Sequence, residues 1–216
     1  NNINKSIGII GGMGPQASAK LLEVLINLCT KDFGAENDSD FPEIILNSIP
    51  VPNFISNKES MDEVLKILKQ SVKNLEKFNP VCLAICCNTA HLLLKDLQSN
   101  TNVPFVSIID EVAKKVAEFG IEKVGLLGTP VTIDSDLYQD ALGKQRIEVI
   151  IPSKKDRKLV ETVIFNVLAG KANKKDELRL ATVAGLLKEK GAQGVILGCT
   201  ELPLIFPKNF PGPVFD

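Results

Sequence analysis

The sequence contains no tryptophan, one tyrosine, two methionines and a single histidine, His91. One histidine excludes any mechanism or metal site that needs two from the same chain. No apolar run approaches the ~18 residues needed to cross a bilayer, so no membrane partner is expected. Net charge is −1, with no basic block or stripe, which argues against a nucleic-acid or anionic-membrane surface. The opening Asn1-Asn2-Ile3-Asn4-Lys5 lacks the pattern of a signal peptide, and because it does not start with Met a trimmed chain is expected. What is present is 216 residues, 44% hydrophobic and 24% charged, a composition suited to one large soluble domain or two small ones. The five cysteines are odd in number and the chain is too long for a disulfide scaffold. They read as reduced thiols in a cytoplasmic protein.

Short apolar runs alternate with longer amphipathic stretches. Strands are expected at Ser6 to Gly11, Glu43 to Ile49, Val81 to Cys86 and Phe105 to Ser107. Between them, helices are expected from Pro15 to Lys31 (apolar at Ala19, Leu22, Ile26 and Cys29), from Glu59 to Phe78, and from near Thr89. After a helix at Asp110 to Phe119 the plan starts again. Strands are expected at Lys123 to Leu127, Glu148 to Ile151 and Gly194 to Leu197, with helices at Thr132 to Leu142, Asp156 to Leu168 and Lys175 to Lys190. Continuously apolar strands separated by helices imply parallel βαβ units with both sheet faces covered.

The two halves echo each other. Val124-Gly125-Leu126-Leu127-Gly128-Thr129 repeats the pattern of Ile7-Gly8-Ile9-Ile10-Gly11-Gly12, and Val195 to Thr200 repeats that of Leu83 to Thr89. The expected fold is therefore α/β, with two pseudo-symmetric lobes, each a mainly parallel sheet flanked by helices. Residues 1–102 would carry the first key cysteine and residues 103–216 the second, with an active site in the cleft between the lobes.

In open α/β sheets, ligands collect beyond the carboxyl ends of the strands. Cys87 and Cys199 both fall there on this reading, each before residues able to start a helix. A helix N-terminus lowers a thiol's pKa and can hold a carboxylate. Inverting a carbon centre needs a base on one face and an acid on the other, and two matched thiols supply both without pyridoxal phosphate, another cofactor or a metal. The ordinary role of a cysteine is that of a small buried hydrophobe. That role suits Cys29, on the apolar helix face, and Cys82 and Cys86, which share strand parity, whereas Cys87 has the opposite parity.

Three motifs carry a family resemblance: Gly11-Gly12-Met13-Gly14-Pro15, Cys87-Asn88-Thr89-Ala90-His91 and Gly198-Cys199-Thr200-Glu201. Through them nearly the whole chain resembles the aspartate/glutamate racemase family, its aspartate racemase branch in particular. The resemblance implies a cofactor-independent amino-acid racemase, commonly dimeric, with Cys87 and Cys199 as the acid/base pair. It implies that Asn88, Thr89 and Thr200 bind the substrate's α-carboxylate and amino group, that Met13 lines the cleft, and that Glu201 belongs with the substrate-binding set.

Three departures from the family pattern stand out. Where typical members carry an arginine after the second strand, this chain has Pro52-Asn53-Phe54. Where they often carry a lysine, it has Leu168-Ala169, with Lys171 close by. It also stops at Asp216, where a last helix usually follows, so a trimmed tail is expected. A bidentate arginine reads a side-chain carboxylate and phenylalanine cannot, so specificity broader than aspartate or glutamate is open. Other readings remain beside this one: an isomerase or decarboxylase using one thiol, or a non-catalytic amino-acid-binding protein. Two further possibilities are a Cys87–His91 hydrolytic pair and a zinc site of Cys82, Cys86, Cys87 and His91. The former lacks an identifiable orienting acid, and the latter has spacing that strand alternation would split. Gly12-Met13-Gly14-Pro15-Gln16-Ala17 matches a dinucleotide fingerprint, but the next strand, ending Leu46-Asn47-Ser48, offers no acid for a ribose. A tight turn whose N–H groups face the substrate is expected there instead.

Overall fold

A computed structural model of the chain describes residues 6–54 and 60–216. Glu59, the expected start of the second helix, and the first five residues lie outside that range. The described residues form two compact units, one built mainly from the chain up to Ser107 and one from Ile108 onward. Asn53 and Phe54 group with the second unit although they lie within the first unit's stretch of sequence.

The first unit holds β1 (Ser6–Gly11), α1 (Pro15–Phe33), β2 (Glu43–Ser48), α2 (Met61–Glu76), β3 (Pro80–Ile85), α3 (Leu94–Gln98) and β4 (Phe105–Val106). Its strands run parallel in the order β2-β1-β3-β4. The second unit holds α4 (Ile108–Glu118), β5 (Lys123–Gly128), α5 (Pro130–Asp134), α6 (Leu137–Gly143), β6 (Glu148–Ile150), α7 (Lys154–Leu168), α8 (Lys174–Glu189), β7 (Gly194–Gly198) and β8 (Val214–Phe215). Its strands are also parallel, ordered β6-β5-β7-β8. The two orders are the same when strands are counted within each unit. The internal echo seen in the sequence is thus a repeated α/β lobe. β7, buried at every position, shows why its sequence is apolar without alternation: helices cover both faces.

Helices dock by stripes at helical spacing. Ile109, Val112, Ala113 and Val116 form the buried stripe of α4. α1 differs from expectation. Its buried and partly buried contacts come from Ala17, Leu21 and Leu25 against Ile9 and Cys86, while Ala19 and Ile26 are exposed. This helix is apolar on more than one side, so spacing alone selects between stripes poorly.

Three other boundaries shift. The expected helix Thr132 to Leu142 is two helices, broken at Ser135 and Asp136, the latter at φ 58°. β8 is a two-residue strand behind Pro213, too short for any periodic signal. No α-helix follows Cys199; a 3-10 turn at Leu202–Leu204 stands there instead. Pro203 and Pro207 account for this, since the latter disfavours helical geometry at Phe206.

α8 starts from a capping box in which the Asn173 side chain accepts from the Lys175 N–H at 2.9 Å and Asp176 reaches back to the Asn173 N–H at 3.2 Å. Asp176 is fully buried and also accepts from the Arg179 guanidinium at 2.9 Å and the Asn166 amide at 3.1 Å. Asp176→Ala strands these donors and is expected to cost about 1–3 kcal/mol in urea unfolding, with Asp176→Asn losing less.

Candidate active site

In each lobe the register sets two chain segments side by side at the carboxyl edge of the sheet. In the first, Ile10 of β1 pairs with Ile85 of β3, and the Cys86 N–H donates to the Ile10 carbonyl at 2.8 Å. The Gly11-to-Pro15 loop and Cys87 therefore leave adjacent strands. In the second, Gly128 of β5 pairs with Gly198 of β7, so Thr129 and Cys199 leave adjacent strands in the same way.

The glycine loop is held by its own lobe. The Ile49 N–H donates to the Gly11 carbonyl at 3.1 Å, and the Gly12 N–H donates to Ser18 Oγ at 2.9 Å. Ser18, itself buried, donates to the Gly14 carbonyl at 3.2 Å. The expectation that this loop turns its N–H groups to a substrate is corrected for Gly12, whose N–H is spent on Ser18. Gly12 sits at φ +93°, and a Cβ there would fall 2.3 Å from the Ile49 carbonyl oxygen. Only glycine fits. Met13 beside it is buried.

Cys86 packs with Ile9 and Ala17 in the core, as strand parity predicts. Cys87 lies beyond the strand end, is 4% exposed, and precedes a 3-10 turn at Thr89–Leu93. That turn runs directly into α3, so a helical segment starts near Thr89 as the sequence implies. Asn88 and Thr89 are buried next to it. His91 is buried too, and its Nδ1 donates to the Cys87 carbonyl at 2.8 Å. A carbonyl only accepts, so this nitrogen carries a proton and bonds the backbone rather than the thiol. Cys82 is half-buried rather than in the core, and desolvation pushes its thiol pKa up.

In the second lobe, Cys199 is 5% exposed and its thiol donates to Glu201 Oε2 at 2.9 Å. The Thr200 hydroxyl donates to the same oxygen at 3.3 Å. Glu201 is 4% exposed, so this carboxylate is turned into the lobe and onto the cysteine. Tyr138 of α6 is buried close by: burial first, then the charges of Cys199 and Asp216, push its hydroxyl pKa far up. Thr129 and Thr132 are buried at the end of β5, with the Thr129 hydroxyl donating to Thr132 Oγ1 at 2.9 Å. Sequence reasoning did not single out Thr129, Thr132 or Tyr138. The repeat held the signal, because Gly128-Thr129-Pro130 occupies the place of the first lobe's glycine loop. Among the described residues, no three His, Cys, Asp or Glu side chains gather as a metal site.

Comparison with solved structures defines the class. An aspartate racemase homologue from Pyrococcus horikoshii superposes with TM-score 0.80 at 35% identity, covering 98% of this chain and 93% of that one. The aspartate racemase of Picrophilus torridus gives 0.84 at 29% identity, covering 98% and 88%. Glutamate racemase from Francisella tularensis shares the fold at 24% identity with TM-score 0.69, covering 99% of this chain and 76% of that one. The protein has the two-lobed α/β racemase fold. The family model for Asp/Glu/hydantoin racemases matches residues 10–216, and the chain belongs to that family. A broad-specificity amino-acid racemase, RacX of Bacillus subtilis, is 35% identical over 144 residues, which is 67% of this chain and 63% of that protein. The chain thus matches less than two thirds of that relative's length.

Proposed function

We propose that the protein racemises a small amino acid without a cofactor, with Cys87 and Cys199 as its two proton-transferring thiols. The observation that carries this reading is the repeated arrangement: in a racemase family, each lobe ends its third strand on a buried cysteine, followed at once by Asn88 and Thr89 or by Thr200. One thiolate removes the α-proton from one face of the substrate, and the other thiol returns a proton to the opposite face. Asn88, Thr89 and Thr200 hold the α-carboxylate and amino group, and Met13 supplies an apolar wall. Phe54, 2% exposed, stands where an arginine would read an acidic side chain. This favours a substrate range that extends past aspartate and glutamate, in line with the broad-specificity relative.

A cytoplasmic homodimer completes the reading. The cytoplasmic part is supported by the five free cysteines. Among the described residues no helix is long and apolar enough to cross a membrane.

The test is α-carbon exchange in D2O with each enantiomer of aspartate, glutamate and a panel of neutral amino acids. The expected result is inversion with deuterium incorporated at the α-carbon. Binding without exchange would mark a non-catalytic binding protein. Exchange without inversion, or loss of CO2, would mark an isomerase or decarboxylase that uses one thiol. The rate is expected to be bell-shaped in pH, since one thiol must be ionised while the other is protonated.

A further inference from the structure

We infer that His91 is the positioning residue of Cys87: its ring Nδ1–H holds the Cys87 carbonyl and so aims that thiol at the substrate's α-carbon. The inference rests on the racemase reading and gives one more residue a defined task in it. Nδ1 lies 2.8 Å from the Cys87 carbonyl oxygen. The histidine is 5% exposed and the cysteine 4%, so the bond is shielded from bulk water.

The turn explains why a side chain does this. In an α-helical turn the His91 N–H would donate to the carbonyl four residues back, that of Cys87. Here it donates to the Asn88 carbonyl at 3.0 Å, three residues back, in the tighter 3-10 pattern. The imidazole of the same residue brings an N–H to the Cys87 carbonyl instead. On the other side of Cys87, the Cys86 N–H donates to the Ile10 carbonyl at 2.8 Å and ties the chain to the sheet. The backbone entering Cys87 is thus fixed by β1, and the backbone leaving it by His91. With both ends held, the Cα–Cβ bond has one direction, and only rotation about it remains for the sulfur. The second lobe anchors the equivalent atom with a different donor: the Leu202 N–H donates to the Cys199 carbonyl at 3.0 Å. Each proposed thiol therefore sits on an anchored carbonyl, bonded to a backbone N–H in one lobe and to an imidazole in the other.

Proton transfer is steep in geometry, and a misplacement of about 1 Å can cost about 10²-fold. His91 itself moves no proton. Its Nδ1–H stays on the carbonyl throughout, and the proton taken from the α-carbon goes to the Cys87 sulfur. An asparagine at this position would place its amide nitrogen where Nδ1 stands. A glutamine would place it one atom further out, at the reach of Nε2. Asparagine is therefore the replacement that keeps the bond, and glutamine the one that keeps a polar side chain without it.

Because the chain has a single histidine, its tautomer is read without assignment. Two-bond proton–nitrogen NMR on isotope-labelled protein free of added histidines is expected to show a protonated Nδ1, and a bare Nδ1 overturns the inference. The second experiment measures α-deuterium exchange in D2O by each single-thiol variant, using the amino acid of the panel above that the wild type inverts fastest. In the Cys199→Ala background, where Cys87 works alone, His91→Ala is expected to slow exchange by about 10–100-fold. His91→Asn is expected to restore most of that loss and His91→Gln little of it. In the Cys87→Ala background, where Cys199 works alone, His91→Ala is expected to cost far less, since Cys199 does not use that carbonyl. Circular dichroism checks that each variant is folded, and if His91→Ala is not, the contrast between His91→Asn and His91→Gln carries the test. No loss, equal losses in the two backgrounds, or a glutamine that restores as much as asparagine overturns the inference while leaving the racemase reading intact. Exchange absent from both single-thiol variants with His91 in place overturns the two-thiol reading itself, and the inference falls with it.

Discussion

Cys87→Ala and Cys199→Ala each lose inversion by about 10²–10⁴-fold or more, the usual worth of a positioned acid or base. The two variants are expected to fail differently. With one thiol removed, the remaining thiol still reaches the α-proton on its own face. Each variant therefore keeps solvent deuterium exchange with one enantiomer and loses it with the other, and the retained enantiomer is opposite in the two. Proton NMR in D2O, starting from each pure enantiomer, reads this directly. Because two enantiomers are isoenergetic in solution, kcat/KM for inversion must be equal in both directions. A variant must then lower both together, and an unequal result would point to a coupled side reaction. Retained inversion in both variants would remove the two-thiol mechanism.

The second large effect concerns the fold. Gly12→Ala is expected to destabilise the first lobe by about 2–4 kcal/mol, the sum of a left-handed backbone cost and a forced clash. Gly12 is at φ +93°, and the new Cβ would lie 2.3 Å from the Ile49 oxygen and 2.5 Å from its nitrogen. Those atoms are backbone, and the Ile49 N–H is already bonded to the Gly11 carbonyl, so the chain cannot swing aside without breaking that bond. Urea unfolding reads the loss. Ser18→Ala, which removes only the side-chain acceptor of the Gly12 N–H, is expected to cost about 1–2 kcal/mol. If Gly12→Ala unfolds no earlier than Ser18→Ala, the loop is less constrained than its geometry indicates.

Much of the fold was legible because buried parallel strands write themselves as short apolar runs. Ile7 to Gly11 and Val124 to Gly128 announce their strands, and their likeness announces the repeat. Cys86 packs against Ile9 and Ala17 in the core, the role expected of it. Other features depend on neighbours that spacing cannot see. Which face of α1 docks was decided by Ile9 and Cys86, not by the helix's own pattern. The break at Asp136 and the strand at Val214–Phe215 are set by packing over a few residues.

For the site itself, the sequence by itself determined the family, the two cysteines and their places after matched strands. Those follow from motif and order, which a linear chain carries in full. Tertiary structure decided what each cysteine meets. After Cys87 the expected helical start is a 3-10 turn that continues into α3, whereas after Cys199 a 3-10 turn stands alone, because Pro203 and Pro207 interrupt the chain there. Tertiary structure also turned Glu201 onto Cys199, a contact between a sulfur and a carboxylate oxygen that depends on the side chain's burial and orientation rather than on its position in the motif.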